Sequence, residues 1–199
     1  MRKLFILVAL WTACCTWSFA QGLDLEQFNQ NRLTQQKRAM TVLGSWAVGN
    51  IALGLALQNT NDGQNKYFHQ MNAGWNAVNL VIAGLGYWGV SRTDPAAFDL
   101  LSTINEQHRF QKILLFNAGL DIGYMAGGAY LIERAKNTAP EDNPDRLRGF
   151  GQSIVLQGAF LFVFDVTTAY ILSRSNADLG PLLSGLSIGP GMLGWRATF

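Results

Sequence analysis

Charge is what this chain lacks most. Only 14% of its 199 residues are Asp, Glu, Lys or Arg, where an ordinary soluble domain carries about 25%. Histidine is nearly missing: there are only His69 and His108, and neither stands in an H-x-x-x-H or E-x-x-H pattern. No spacing therefore supports a metal site. Cysteine is confined to the adjacent pair Cys14 and Cys15. A chain that loses that segment has no disulfide, thiol nucleophile or thiolate ligand. Ser45, Ser153 and Ser173 stand in no nucleophile motif, and no glycine-rich phosphate loop follows a strand. A phosphate-binding surface needs clustered Lys and Arg, and no such cluster is present. The expectation is a protein that is not an enzyme, holds no cofactor or metal, and binds no nucleic acid.

What the chain does have begins at its first residues. Arg2-Lys3 is a basic start, Leu4 to Trp17 is an apolar run, and Ser18-Phe19-Ala20 ends in a small-x-small pattern. This is the layout of a secretory signal spanning 1–20, with Gln21 as the first mature residue. An uncleaved anchor and lipidation at Cys14 are the alternatives, the second weakened by Trp11 in the place where lipoproteins usually carry Leu. Without Arg2 and Lys3, the remaining basic residues equal the 13 acidic ones.

The remaining charges are strongly segregated. Met40 to Asn61 carries none, and Tyr67 to Ser91 carries none besides His69. Ile113 to Ile132 holds only Asp121, and Gly149 to Ser173 only Asp165. A helix needs about 20 residues to cross a bilayer core, and each stretch is that long. Tyr67-Phe68 and Tyr87-Trp88 bracket the second stretch as interfacial aromatics do. The fold class expected is all-α: a four-transmembrane-helix bundle, with spans about 40–58, 68–90, 113–132 and 150–173. A polar pre-membrane helix at 21–39 leads into it. The alternative is a soluble periplasmic helical domain, favoured by a mean hydropathy of only +0.10.

Connections and tail carry their own signals. Asp94-Pro95 and Asn143-Pro144 each read as an N-cap followed by proline in the first turn. Phe98, Leu101, Ile104 and His108 predict a short amphipathic helix at the interface between spans two and three. Residues 176–199 are rich in Gly and Pro. There Leu193, Trp195, Ala197 and Phe199 alternate with period two, which predicts a short β-like hairpin with 183–188 as partner.

Orientation conflicts with charge. A cleaved signal places Lys66, Arg134, Lys136, Arg146 and Arg148 in the cytoplasm. The other eight basic residues, Arg32, Lys37, Arg38, Arg92, Arg109, Lys112, Arg174 and Arg196, are then outside. That opposes the positive-inside bias. The location expected is the bacterial cell envelope: the inner membrane after export, with outer-membrane association left open.

Polar residues inside the spans fall at helical spacing. Trp46-x3-Asn50 and Trp75-x3-Asn79 share one pattern; Asn72-Ala-Gly-Trp-Asn76 and Asn117-Ala-Gly-Leu-Asp121 share another. His69, Asn72, Asn76 and Asn79 occupy one face of span two. Asn117, Asp121, Tyr124 and Gly128 share a face of span three; Asp165 shares one of span four with Gly158, Thr168 and Ala169. An ionised Asp at mid-bilayer costs roughly 2.5–3.5 kcal/mol even on the lenient insertion scale, so these groups are expected to face inward. The resulting cluster is Asn50, Asn72, Asn76, Asn79, Asn117, Asp121 and Asp165. It reads either as packing glue or as a proton, ion or solute site. Gly119, Gly123 and Gly127 form a small-x3-small ladder, expected to pack a neighbour and to make span three central.

The Ser18-Phe19-Ala20-Gln21 junction, the W-x3-N helices, the Asn-Ala-Gly repeats and the Gly-Pro-Gly tail ending in Phe199 give the chain its overall character. In these it resembles the small signal-bearing, four-helix membrane proteins of unknown function of Bacteroidetes-type bacteria. The resemblance implies an uncharacterised envelope protein and assigns no site residue. Expected partners are the lipid bilayer and either further copies of the chain or an envelope protein.

Overall fold

The computed structural model describes the backbone of residues 2–176, 179, 186–189 and 192–195, and side chains from 25 to 176 and at 179. Four long helices make up most of the described residues. They are α1 (Arg2–Leu57), α2 (Gly63–Ser91), α3 (Leu100–Lys136) and α4 (Pro144–Ser175). Short 3-10 turns at Pro95–Ala97 and Pro140–Asp142 occupy the second and third connections. Near the C-terminus β1 (Leu186–Gly189) and β2 (Met192–Trp195) run antiparallel, with Leu186 opposite Trp195. Leu183, Ala197 and Phe199, the rest of the expected hairpin, lie outside the described residues.

Local chemistry explains the helix starts. Asn143 takes a left-handed backbone, φ 58°, and its side chain accepts from the Arg146 N–H, while Pro144 fills the first turn of α4. Asp94 caps only the 3-10 turn, accepting from the Ala96 N–H. The cap of α3 is Asp99, whose carboxyl takes the Ser102 N–H at 2.7 Å and the Ser102 hydroxyl at 2.6 Å. Gly63 opens α2 with φ +57°, a conformation that side-chain-bearing residues rarely adopt.

Two expectations about element limits change. Residues 21–39 are no separate helix: α1 runs through them without a break. No short interfacial helix separates spans two and three either, because the segment from Leu100 onward continues straight to Lys136. The buried face of its first turns is polar, with Thr103 and Gln107 turned inward and Leu101 left exposed. Thr103 meets Asn29 of α1 at 2.9 Å, and Gln107 donates to the Leu172 carbonyl of α4 at 2.8 Å. Partners on α1 and α4, not amphipathic periodicity, decide which face is covered.

Packing makes α4 the hub. It lies along α3 and also against α2, while α2 lies along α1. Glycines allow the closest approaches. A methyl group on Gly128 would sit 2.7 Å from the Gly151 carbonyl, and one on Gly151 would sit 2.5 Å from that of Gly128. Gly54 stands equally close to α2 at the His69 carbonyl, 2.7 Å. The expected ladder is elsewhere: Gly119, Gly123 and Gly127 face outward, and a methyl group on any of them would meet nothing. Span three is therefore not the central helix. Spacing put those three on one face, but the face that packs carries Gly128, one residue along. Two segments, Leu25–Leu57 and Pro144–Ser175, are long and apolar enough to cross a membrane by composition.

Candidate functional site

Polar side chains fill the middle of the bundle. Asn72, Asn76, Ser153, Gln157 and Asp121 are all buried, whereas many of the buried apolar side chains are alanines. Two distinct arrangements emerge.

The first is a closed ring of amides. Trp46 Nε1 of α1 donates to Gln157 Oε1 of α4 at 2.9 Å. Gln157 Nε2 donates to Asn72 Oδ1 of α2. Asn72 Nδ2 donates to Asn50 Oδ1 of α1 at 2.8 Å, and Asn50 Nδ2 returns to the Trp46 carbonyl at 2.8 Å. Trp46 also stacks flat on Phe160, centroids 3.8 Å apart. Three helices are thus tied by groups that satisfy one another. Interhelical bonds of this kind contribute about 0.6–2 kcal/mol each. Asn76 extends the chain, donating to the Asn72 carbonyl at 2.8 Å and accepting from Asn79 at 3.4 Å.

The second arrangement is a cavity of about 310 Å³ lined by Asn79, Asn117, Asp121 and Asp165. Trp75, Tyr124 and Phe164 supply aromatic walls, and Leu43, Val78, Ile82, Leu120 and Leu161 the rest. Asp121 is 2% exposed and Asp165 5%. The two acids are close neighbours. Two carboxyls this close hold one proton between them, so one can donate to the other while the pair keeps a single negative charge. Asp121 Oδ2 finds no partner at all.

The expected cluster therefore divides. Asn50 and Asn72 belong to the ring; Asn79, Asn117, Asp121 and Asp165 to the cavity; Asn76 joins the two. Gln157 and Trp46 Nε1 are essential to the ring, and spacing alone did not single out Gln157. Its signal was there: Gln157 lies four residues after Ser153 and eight before Asp165, on one face of a helix otherwise apolar.

A third polar group lies beyond the apolar zone. Arg32, buried, donates to Asn29 Oδ1 at 2.9 Å and stands 4.7 Å from the Phe98 ring centroid. Burial lowers its guanidinium pKa, and the charge of Glu106 partly offsets this.

The sequence profile described as "Family of unknown function (DUF6992)" matches residues 42–166. The match takes in the ring, the cavity and both buried acids. No curated protein and no solved structure matches the chain.

Proposed function

We propose, on the premise that the chain belongs to this family of unknown function, that it is an integral membrane protein of the bacterial cell envelope, a four-span helical bundle with a structural or interaction role. The observation that carries this is the inverted distribution of polarity. Asn, Gln and Asp fill the interior, while Val81, Leu85, Phe116, Ile122, Val163 and Ile171 are exposed. A soluble monomer rarely exposes apolar patches beyond a few hundred Å², and a bilayer removes that difficulty.

Among the described residues, only Leu25–Leu57 of α1 and Pro144–Ser175 of α4 pass a composition test for spanning. Averages penalise α2 and α3 for residues that never meet lipid. Asn72, Asn76 and Asn79 lower the mean of α2 from inside the bundle, while Val78, Val81, Ile82 and Leu85 form its outer face. Asp121 does the same on α3, where Ile113, Leu115, Phe116 and Ile122 face out.

Alkaline carbonate extraction tests the membrane reading, with retention in the pellet expected and release against it. Topology follows from single cysteines at Asn61, Ser91, Thr138 and Ser175, in a Cys14→Ser, Cys15→Ser background, labelled on intact cells with an impermeant thiol reagent. Labelling at 91 and 175 alone is expected for a cleaved leader and an inner-membrane location. Labelling at 61 and 138 alone keeps the bundle and inverts it, as the basic residues favour. Labelling at all four removes the inner-membrane bundle.

A second reading is a small transporter or channel subunit working through Asp121 and Asp165. It is favoured by the cavity that holds both acids and by the unpartnered Asp121 Oδ2. Asp121→Asn and Asp165→Asn separate the two. Lost solute flux at a normal protein level supports transport, and a lowered protein level supports packing.

A further inference from the structure

The ring and the cavity differ in one respect that packing does not explain. The amides of the ring complete one another, whereas in the cavity Asp121 Oδ2 has no partner. Asp121 is withdrawn from water with one oxygen unpartnered, a costly state unless something else supplies the counter-charge. Among the described residues, no Lys, Arg or His lines the cavity. Its volume of about 310 Å³ is far beyond the ~30 Å³ share of one water.

The wall chemistry narrows the missing group. Trp75 and Tyr124, both in the cavity wall, meet edge to face with centroids 5.0 Å apart, and Phe164 adds a third ring. Aromatic faces attract cations, most strongly when water is excluded. Calcium and magnesium take about six or more oxygens in a close shell, and zinc takes about four ligands, mostly from His and Cys. Among the described residues no group of three His, Cys, Asp or Glu gathers to hold one, and the cavity walls are mostly hydrocarbon. We propose that this cavity binds a small organic ammonium ion with an apolar body. Asp121 and Asp165 meet the charge, and the rings and aliphatic wall take the body.

The route in is also visible. α2 and α3 scarcely touch along their backbones. Val78 and Ile82 on one helix and Leu120 on the other line the cavity and are exposed on the outer surface. The mouth therefore opens sideways, and in a bilayer it faces the acyl chains. This lateral route rests on the membrane reading; the site itself rests on the cavity.

The test uses the full-length protein in phosphatidylcholine nanodiscs and equilibrium dialysis of radiolabelled benzyltrimethylammonium, with empty nanodiscs as blank. One saturable site per chain is expected. Unlabelled phenethylammonium displaces the probe, while equimolar sodium or magnesium does not. The uncharged carbon isostere, neopentylbenzene, competes at least tenfold more weakly. Asp121→Asn and Asp165→Asn each weaken binding at least tenfold, with helical circular dichroism and gel-filtration elution unchanged. Absence of saturable binding above the blank overturns the proposal. So does equal competition by the neutral isostere, or full binding by the folded Asn variants. If those variants do not fold, the charged and neutral probes on the unaltered protein decide alone. A chain released by carbonate that still binds the probe removes the bilayer reading and keeps the site; a retained chain that does not bind does the reverse.

Discussion

Gln157 holds two helices with one side chain, accepting from Trp46 and donating to Asn72. Gln157→Leu fills similar space but leaves the Trp46 N–H and the Asn72 oxygen without partners. Buried groups left unpaired cost about 1–3 kcal/mol, and measured interhelical bonds lie at the low end of that range. A loss of about 1–2 kcal/mol is expected, read from detergent-induced unfolding. Unchanged stability would make the ring ornamental. A different residue reports on the connection before α3. Asp99 is held below the usual carboxylate range by the Ser102 hydroxyl and then by its N–H. A depressed pKa means the cap is in place above the unfolded value and is lost as pH falls through the folded one. The Ser102 amide resonance should titrate with an apparent pKa below the ordinary Asp value of about 3.9. In Asp99→Asn that titration should vanish, and an apparent pKa at or above the ordinary value would remove the cap.

Elements meet where glycine allows it, and this distinguishes two sets of glycines that look alike in the sequence. Gly151→Leu forces a side chain against the Gly128 carbonyl of α3. Overpacking of this sort costs roughly 1–3 kcal/mol, expected as a lower unfolding midpoint by far-UV circular dichroism. Gly123→Leu points into open space and should stay within about 0.5 kcal/mol of the parent. Equal sensitivity at both positions would restore the outward ladder as a packing surface. The sequence made several elements legible. Stretches with at most one Asp, Glu, Lys or Arg marked the C-terminal part of α1 and much of α2, α3 and α4, and Asn143-Pro144 marked the start of α4, because both signals are local. Asn72, Asn76 and Asn79 were placed together by the 3.6-residue period alone. The packing face of α3 was legible in part: Gly128 falls on the face of Asn117 and Asp121 that packs, but the ladder opposite was expected to pack as well, because periodicity tells which residues share a face and not which neighbour that face meets. The same holds for Thr103 and Gln107: their burial is imposed by α1 and α4, which are distant in sequence. The division of the polar cluster into a satisfied ring and an unsatisfied cavity depends on Gln157 arriving from α4, and no pattern within α1 or α2 announces it.

The described part of the bundle, residues 25–176, has buried polar and exposed apolar side chains, the reverse of a water-soluble bundle, and that distribution predicts opposite costs for one substitution in two solvents. Val81, Ile122 and Val163 sit near the middles of α2, α3 and α4, with 60%, 54% and 62% of their surface exposed. In water, changing an exposed valine or isoleucine to lysine stays within about 0.5 kcal/mol and makes the surface more soluble. At the centre of a bilayer a lysine costs roughly 2.5–3.5 kcal/mol on the insertion scale. Lysine at Val163 tests a helix whose composition already qualifies it as a span. Lysine at Val81 or Ile122 tests the two whose composition does not. If all four helices cross the membrane, all three variants lose membrane-integrated protein to a similar degree, measured as the carbonate-resistant fraction at equal expression. If only α1 and α4 cross, Val163→Lys falls alone, and the other two keep the parent level. Lipid contact follows the outward face of a helix rather than its average composition, so the three variants should fall together.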